Sequence, residues 1–316
     1  MLKLFAISLI LALTVALNID PRSAISSSAG TLLVMNKADR TLGVIDPATL
    51  RSVENIPIAG VTGHEVAASP DGHRAFVPIY GNSGVGHPGT NGSTLIVVDL
   101  ATRKTLQTID FAHGVRPHCA VFGPKDGLLY VTTELDKSVT IIDPKTLKIT
   151  ASIPTGQAES HMLALSADGR FGYTANVGPG TVSVLDLATR KTKTIIPVAQ
   201  HVQRISITPD DRWVFTADTE KPRLAVIDTS KNAVDRWISL PSAGYGTAST
   251  SDGKWLLVAM PDANGVAPQE VLIRPDGKVA YVSCSAGHQV AAIQLSDWSV
   301  SAIPAGADAD GLAWAK

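Results

Sequence analysis

The chain of 316 residues is poor in charge, in aromatic side chains and in cysteine, and each shortage narrows what it can be. Its 27 basic residues are balanced by 28 acidic ones, a net charge of -1 that provides no basic footprint for nucleic acid. Aromatics make up 5% of the chain, so the aromatic-lined groove of a single-strand binder is not expected either. Trp213, Trp237, Trp255, Trp298 and Trp314 all fall in strand-like runs and read as core. Only Cys119 and Cys284 are present, in distant parts of the chain, which excludes a disulfide scaffold and predicts buried free thiols. Catalytic motifs are missing as well. His64 and Glu65 begin an HExxH pattern that Ala68 breaks, Ser83 lies in "GNSGV" and not in GxSxG, and no Cys-x-x-Cys, phosphate loop or dinucleotide fingerprint occurs.

What is present begins with "MLKLFAISLILALTVALNIDPRSA". One basic residue, Lys3, precedes an apolar run from Leu4 to Leu17, with small residues at Ala16, Ser23 and Ala24. That reads as an export signal over residues 1–24, ahead of a single soluble domain over 25–316 in the periplasm or outside the cell. The run is shorter than the roughly 18 apolar residues a membrane span needs, and nothing later approaches it, so no transmembrane span is expected in the mature chain.

The remainder repeats. Charged residues are only 17%, while Val, Ile, Thr and Gly crowd into short runs between turn dipeptides, which favours strands. Aligned turns end at Gly72, Gly127, Gly169, Asp211, Gly253 and Gly277, in steps of 55, 42, 42, 42 and 24. A period near 42 suits one four-stranded propeller blade. After each turn comes an apolar strand, then a strand ending at an aspartate: Asp46, Asp99, Asp143, Asp186 or Asp228. Each aspartate opens a turn, where its side chain accepts backbone hydrogen bonds, so these carboxylates are assigned to structure. The chain opens on a second strand, "TLLVMN", and closes on a first strand, "DGLAWA"; pairing the two would complete a blade from both termini and remove the open edge. The short step before Gly277 leaves blade 6 without its outer strands, an edge that a partner strand could complete. Blade 2 gains a Gly-rich loop over residues 80–93. The fold class expected is all-β, a seven-bladed β-propeller with blade 6 incomplete, with a true six-bladed ring as the alternative.

With "SPDG" turns followed by "YVTT" at 130–133 and "YTAN" at 173–176, the chain resembles the YVTN-repeat β-propeller family over about residues 30–316. More distantly it is similar to the haem d1 propellers of the cytochrome cd1 nitrite reductase group. The first resemblance implies the scaffold and leaves the activity open, because propellers carry many unrelated functions. The second implies histidines around the channel that contact a cofactor; His64, His118 and His161 are the residues here to which that could carry over.

Counting back from each turn glycine gives one residue per blade at one mouth of the central channel: His64, His118, His161, Gln203, Tyr245, Gln269 and Asp310. All are polar, so this mouth is expected to face water or a ligand. Arg116, Glu159 and His201 lie two residues upstream of ring positions, His113 is near, and His87 is on the long loop; all are expected to overhang it. The leading expectation is a scaffold binding a small molecule or protein partner there through His64, His118, His161, Gln203, Tyr245, Gln269, Asp310, Arg116 and His87. The alternative gives His64, His118 and His161 to a metal (copper or zinc) or to haem, in an oxidoreductase or cofactor-handling protein. A lactonase-like hydrolase, which would show Arg and Glu around a divalent ion, is the third reading.

Overall fold

A computed structural model describes residues 3–7, 30–261 and 265–316. It contains six four-stranded antiparallel sheets and one three-stranded sheet, and no α-helix among the described residues. The innermost strands touch one another in order, and the last touches the first, so the sheets close into a ring. This is the expected β-propeller. Blade 4 shows the plan: Ser160–Leu165 innermost, then Phe171–Asn176, Thr181–Asp186 and Lys191–Pro197 outermost. Inner and middle strands are buried on both faces, whereas the outer strand alternates and is largely exposed. Six clusters of buried aliphatic side chains fill the gaps between neighbouring blades, so the core is itself a ring.

The turn aspartates do what the repeat predicts. Asp46 accepts from Ala48 N and Thr49 Oγ1, Asp99 from Thr102, Asp143 from Lys145 N, Asp186 from Thr189 N and Asp228 from Ser230. Both cysteines are buried free thiols. The ring is closed by Ala309–Ala315, which pairs antiparallel with Thr31–Asn36 and brings the two ends of the domain into one blade.

Two expectations are refined. The blade 2 strands Arg74–Gly81 and Asn91–Asp99 extend into the Gly-rich segment, leaving 82–90 as the loop. In blade 6 only Thr247–Ser249 and Trp255–Ala259 come from the repeat, and the third position holds Lys3–Ile7, paired parallel from Lys3 opposite Trp255 to Ile7 opposite Ala259. Apart from that strand, the segment read as an export signal lies outside the described residues.

Candidate functional site at the channel mouth

Each inner strand enters the channel through a tight bend. Two residues ahead of His118, His161, Gln269 and Asp310 stand Arg116, Glu159, Ala267 and Asp308, all with φ between +47° and +57°. Non-glycine residues seldom adopt this left-handed conformation, so four blades share the same strained entry. Directly after it the strand bulges. His161 lies between the paired positions Ser160 and Met162 with no partner of its own, and the register also breaks around His118 and Cys119, Gln203 and Arg204, Gln269 and Glu270, and Asp310 and Gly311. A bulge lets consecutive side chains lean the same way. Two tiers of polar residues therefore reach the axis.

The bulges free backbone groups, and hydroxyls of the neighbouring strand take them up. Thr132 Oγ1 accepts from Cys119 N at 2.9 Å and donates to His161 O at 2.8 Å, Thr216 donates to Arg204 O, and Ser283 accepts from Glu270 N. The third position of the "YVTT", "VFTAD" and "YVSC" strands is a hydroxyl because it completes the hydrogen bonding of the channel lining.

The upper tier brings the three predicted histidines together. The His118 and His161 rings lie 3.5 Å apart, centroid to centroid, and His64 packs edge-on against His118 at 5.4 Å. His118 and His161 are buried, and Nδ1 of each has no hydrogen-bond partner. Burial lowers the pKa of all three, with their neighbours' charges adding to it for His118; His64 falls to about 3, so the cluster is neutral. Beneath it, Tyr80 OH donates to Glu134 Oε2, which lies 3.8 Å from His161 Nδ1. Burial works against the Glu134 charge, but His161, Tyr80 and Arg116 hold its pKa below the usual value.

Gln203 and Tyr245 also stand at the mouth. Gln203 Nε2 is 3.5 Å from His161 Nε2, and the Arg204 guanidinium lies 5.2 Å over the Tyr245 ring. Gln269 does not join them, because its amide turns back to Ala267 O and Ser285 Oγ. Arg116 is buried as a brace: it donates to Asn91 Oδ1 and His87 O, pairs with Glu134, and so fastens the 82–90 loop to the mouth. The His87 side chain is exposed on that loop. Of the overhanging residues, Glu159 accepts from Gly178 N, His113 meets Asp136 at 2.8 Å and His201 meets Glu220 at 2.7 Å.

Apart from Asp310, the lower tier is not among the residues the sequence points to. Arg204 lies 2.7 Å from Asp310 and 2.9 Å from Glu65, with Glu270 at 3.9 Å, while Lys37 reaches Asp310 at 3.1 Å. Burial raises the pKa of Glu65 and Glu270, whereas Arg204 and Lys37 outweigh burial at Asp310 and keep its carboxyl ionised. One signal was available: Glu65, Arg204 and Glu270 each follow a ring position directly, and charge is out of place in an inner strand.

These residues do not fit the implied cofactors. Two buried imidazoles packed against each other, 3.5 Å apart and tilted by 32°, offer a haem macrocycle no open face. Among the described residues no three His, Cys, Asp or Glu side chains converge on a metal-sized position. Arg and Glu do stand on the axis, as a lactonase-like site would have them, but the Arg204 guanidinium fills the space between the carboxylates.

A family model of the cytochrome D1 haem domain matches residues 122–244, most of three blades of the ring. The match takes in His161, Gln203 and Arg204 and leaves out His64 and His118. This chain is a β-propeller distantly similar to the haem d1 group. A solved chain of hydrazine synthase from Kuenenia stuttgartiensis is similar over 78% of this propeller and 87% of its own length, at 18% identity and a TM-score of 0.64. A protein of unknown function from Desulfotomaculum acetoxidans is similar over 90% of this chain and 99% of its own, at 12% identity and a TM-score of 0.71. At such identities the likeness is one of fold. No curated protein matches the propeller.

Proposed function

We propose that this protein is an exported β-propeller that binds a small polar ligand, or a polar group of a protein partner, at the channel mouth formed by His64, His118 and His161. The observation that carries this reading is the buried Nδ1 of His118, which nothing in the protein satisfies, beside a His161 Nδ1 whose nearest partner, Glu134, stands 3.8 Å away. Buried polar groups are normally paired, and an orphan at a channel mouth points to something bound. Beside His64 opens a pocket of about 690 Å³, lined by Lys37, Arg40, Thr62, His64, Asn82 and Ser83. His64 alone of the three lines it, and the Ser83 hydroxyl is a further buried group without a partner. Neutral imidazoles both donate and accept hydrogen bonds, so the mouth suits a ligand bearing hydroxyl, amide or carboxylate groups.

The test is histidine side-chain NMR on the purified chain, titrated with a panel of monosaccharides and short dicarboxylates and, separately, with Zn(II) and Cu(II). We expect an organic component to shift the His64, His118 and His161 signals and leave those of His73 and His288 in place. Stoichiometric metal binding at the three signals, with no response to any organic component, would overturn the reading. For export, N-terminal sequencing of chain recovered from the periplasm of a bacterial host should begin near residue 25; an intact Met1 in the cytoplasm would refute it.

A further inference from the structure

Below the charged tier the channel continues as a separate bore, which the mouth does not reach. It is a cavity of about 370 Å³ whose wall is largely aliphatic, with Ala68, Leu163, Ile205 and Leu272 along it and Phe122 and Trp314 among its larger side chains. The volume is at the lower end of what small-molecule sites enclose. Each inner strand contributes three or four residues below the charged tier, a depth of about 10 Å at the rise of a β-strand. Its polar end is made by Glu65 and Glu270. Glu270 keeps 22% of its side-chain surface accessible although Glu65, Arg204 and Asp310 are almost wholly covered, as expected of a carboxyl facing into the bore. Glu65 is buried, and its Oε1, 2.9 Å from Arg204 Nη2 without hydrogen-bond geometry, has no hydrogen-bond partner.

Three carboxyl groups, Glu65, Glu270 and Asp310, face two cations, Arg204 and Lys37. Burial raises the pKa of Glu65 and Glu270, so the third carboxyl carries its charge only with a further cation beside it and otherwise keeps a proton. The unsatisfied atom is an acceptor, so it calls for a donor, and a cationic donor takes the place of that proton. A carboxylate head would bring a further anion to a tier where burial already opposes the carboxylates. An alcohol would satisfy the oxygen and supply no charge.

We propose that the lower bore binds an elongated apolar molecule ending in a primary ammonium group, with the head against Glu65 and Glu270 and the hydrocarbon along the aliphatic wall. The site lies on the far side of the charged tier from the mouth and uses none of its histidines, so it stands or falls independently of the function proposed above.

Calorimetric titration of the purified full chain with n-hexylamine, n-hexanol and hexanoate at neutral pH tests it, since the three differ only in the head. The amine should bind one to one and at least about tenfold more tightly than the alcohol, the gain of a charge-assisted hydrogen bond, and hexanoate should not bind. Glu270→Gln should bring the amine to the affinity of the alcohol, and Ile273→Trp, at the partly exposed end of the bore, should block both. Equal affinity for the three heads, amine binding unchanged by Glu270→Gln, or a folded chain that binds none of them would overturn the proposal. The head-group series on the unaltered chain decides the matter even where a variant fails to fold.

Discussion

A histidine on the channel axis has to be neutral to be buried, and that makes the mouth sensitive to acid. His118 and His161 have pKa values lowered by burial, so below about pH 6.5 the unfolded chain takes up protons that the folded chain refuses. Their contribution is therefore present at neutral pH and lost as the pH falls. Glu65 has the opposite sign: its raised pKa stabilises the fold at low pH and that contribution is lost as the pH rises through the folded value. Urea denaturation at pH 5, 6 and 7 separates the two when the wild type is compared with a His118→Gln, His161→Gln variant. The variant should lose less stability on acidification, by up to about 1.4 kcal/mol per pH unit for each imidazole; parallel curves would mean the imidazoles are not held neutral. Glu134 is the other sensitive residue, because Tyr80, Arg116 and His161 all turn to it. Glu134→Ala leaves a buried guanidinium unpaired and should cost about 3–5 kcal/mol, together with faster amide exchange over residues 82–90. An unchanged loop would show that Arg116 does not fasten it.

Among the elements, the bulged inner strand decides what reaches the axis. The count from the turn glycines located His64, His118, His161 and Asp310 correctly, because the repeat sets the length of every inner strand. It passed over Arg204 and Glu270, since an alternating strand should turn a residue beside a channel-facing one away from the axis, and only a bulge turns both inward. Gln269 was assigned to the mouth on the same count, yet its amide bonds to Ala267 and Ser285 while Glu270 takes the axis. Thr132 supports this geometry from the next strand. Thr132→Val keeps the shape and removes both hydrogen bonds, so it should destabilise the fold by about 1–3 kcal/mol in chemical denaturation; a neutral result would mean that Cys119 N and His161 O find other partners. The closing strand Ala309–Ala315 belongs to the same scale. Without residues 310–316 the first blade has an open inner edge and the channel lacks Asp310, and the cooperative thermal transition should broaden or vanish. A truncated chain melting as sharply as the intact one would refute closure by this strand.

At the scale of the whole molecule, a propeller is stable because each blade covers the next, and its weak point is the blade with fewest strands of its own. In blade 6 the outward edge of Trp255–Ala259 is paired by Lys3–Ile7 in the unprocessed chain, and the export cleavage proposed above would remove that strand and leave the edge open. A chain lacking residues 1–24 should therefore show faster hydrogen exchange at the Leu256 and Val258 amides than the full chain, and equal rates would mean that this pairing protects nothing. The sequence by itself determined the repeat, the strand order within each blade, the closure of the ring by its two ends, the structural role of the turn aspartates and the meeting of three histidines at one mouth. All of these follow from spacing along the chain, which one strand period and one turn type fix locally. Only the tertiary structure decided that the histidines pack together with His118 Nδ1 left unpaired, that Arg204 lies among three carboxyl groups, and that an apolar bore runs beneath them. Those features arise where different blades meet on the axis, from residues as far apart as Glu65 and Glu270, and no local period relates their side chains.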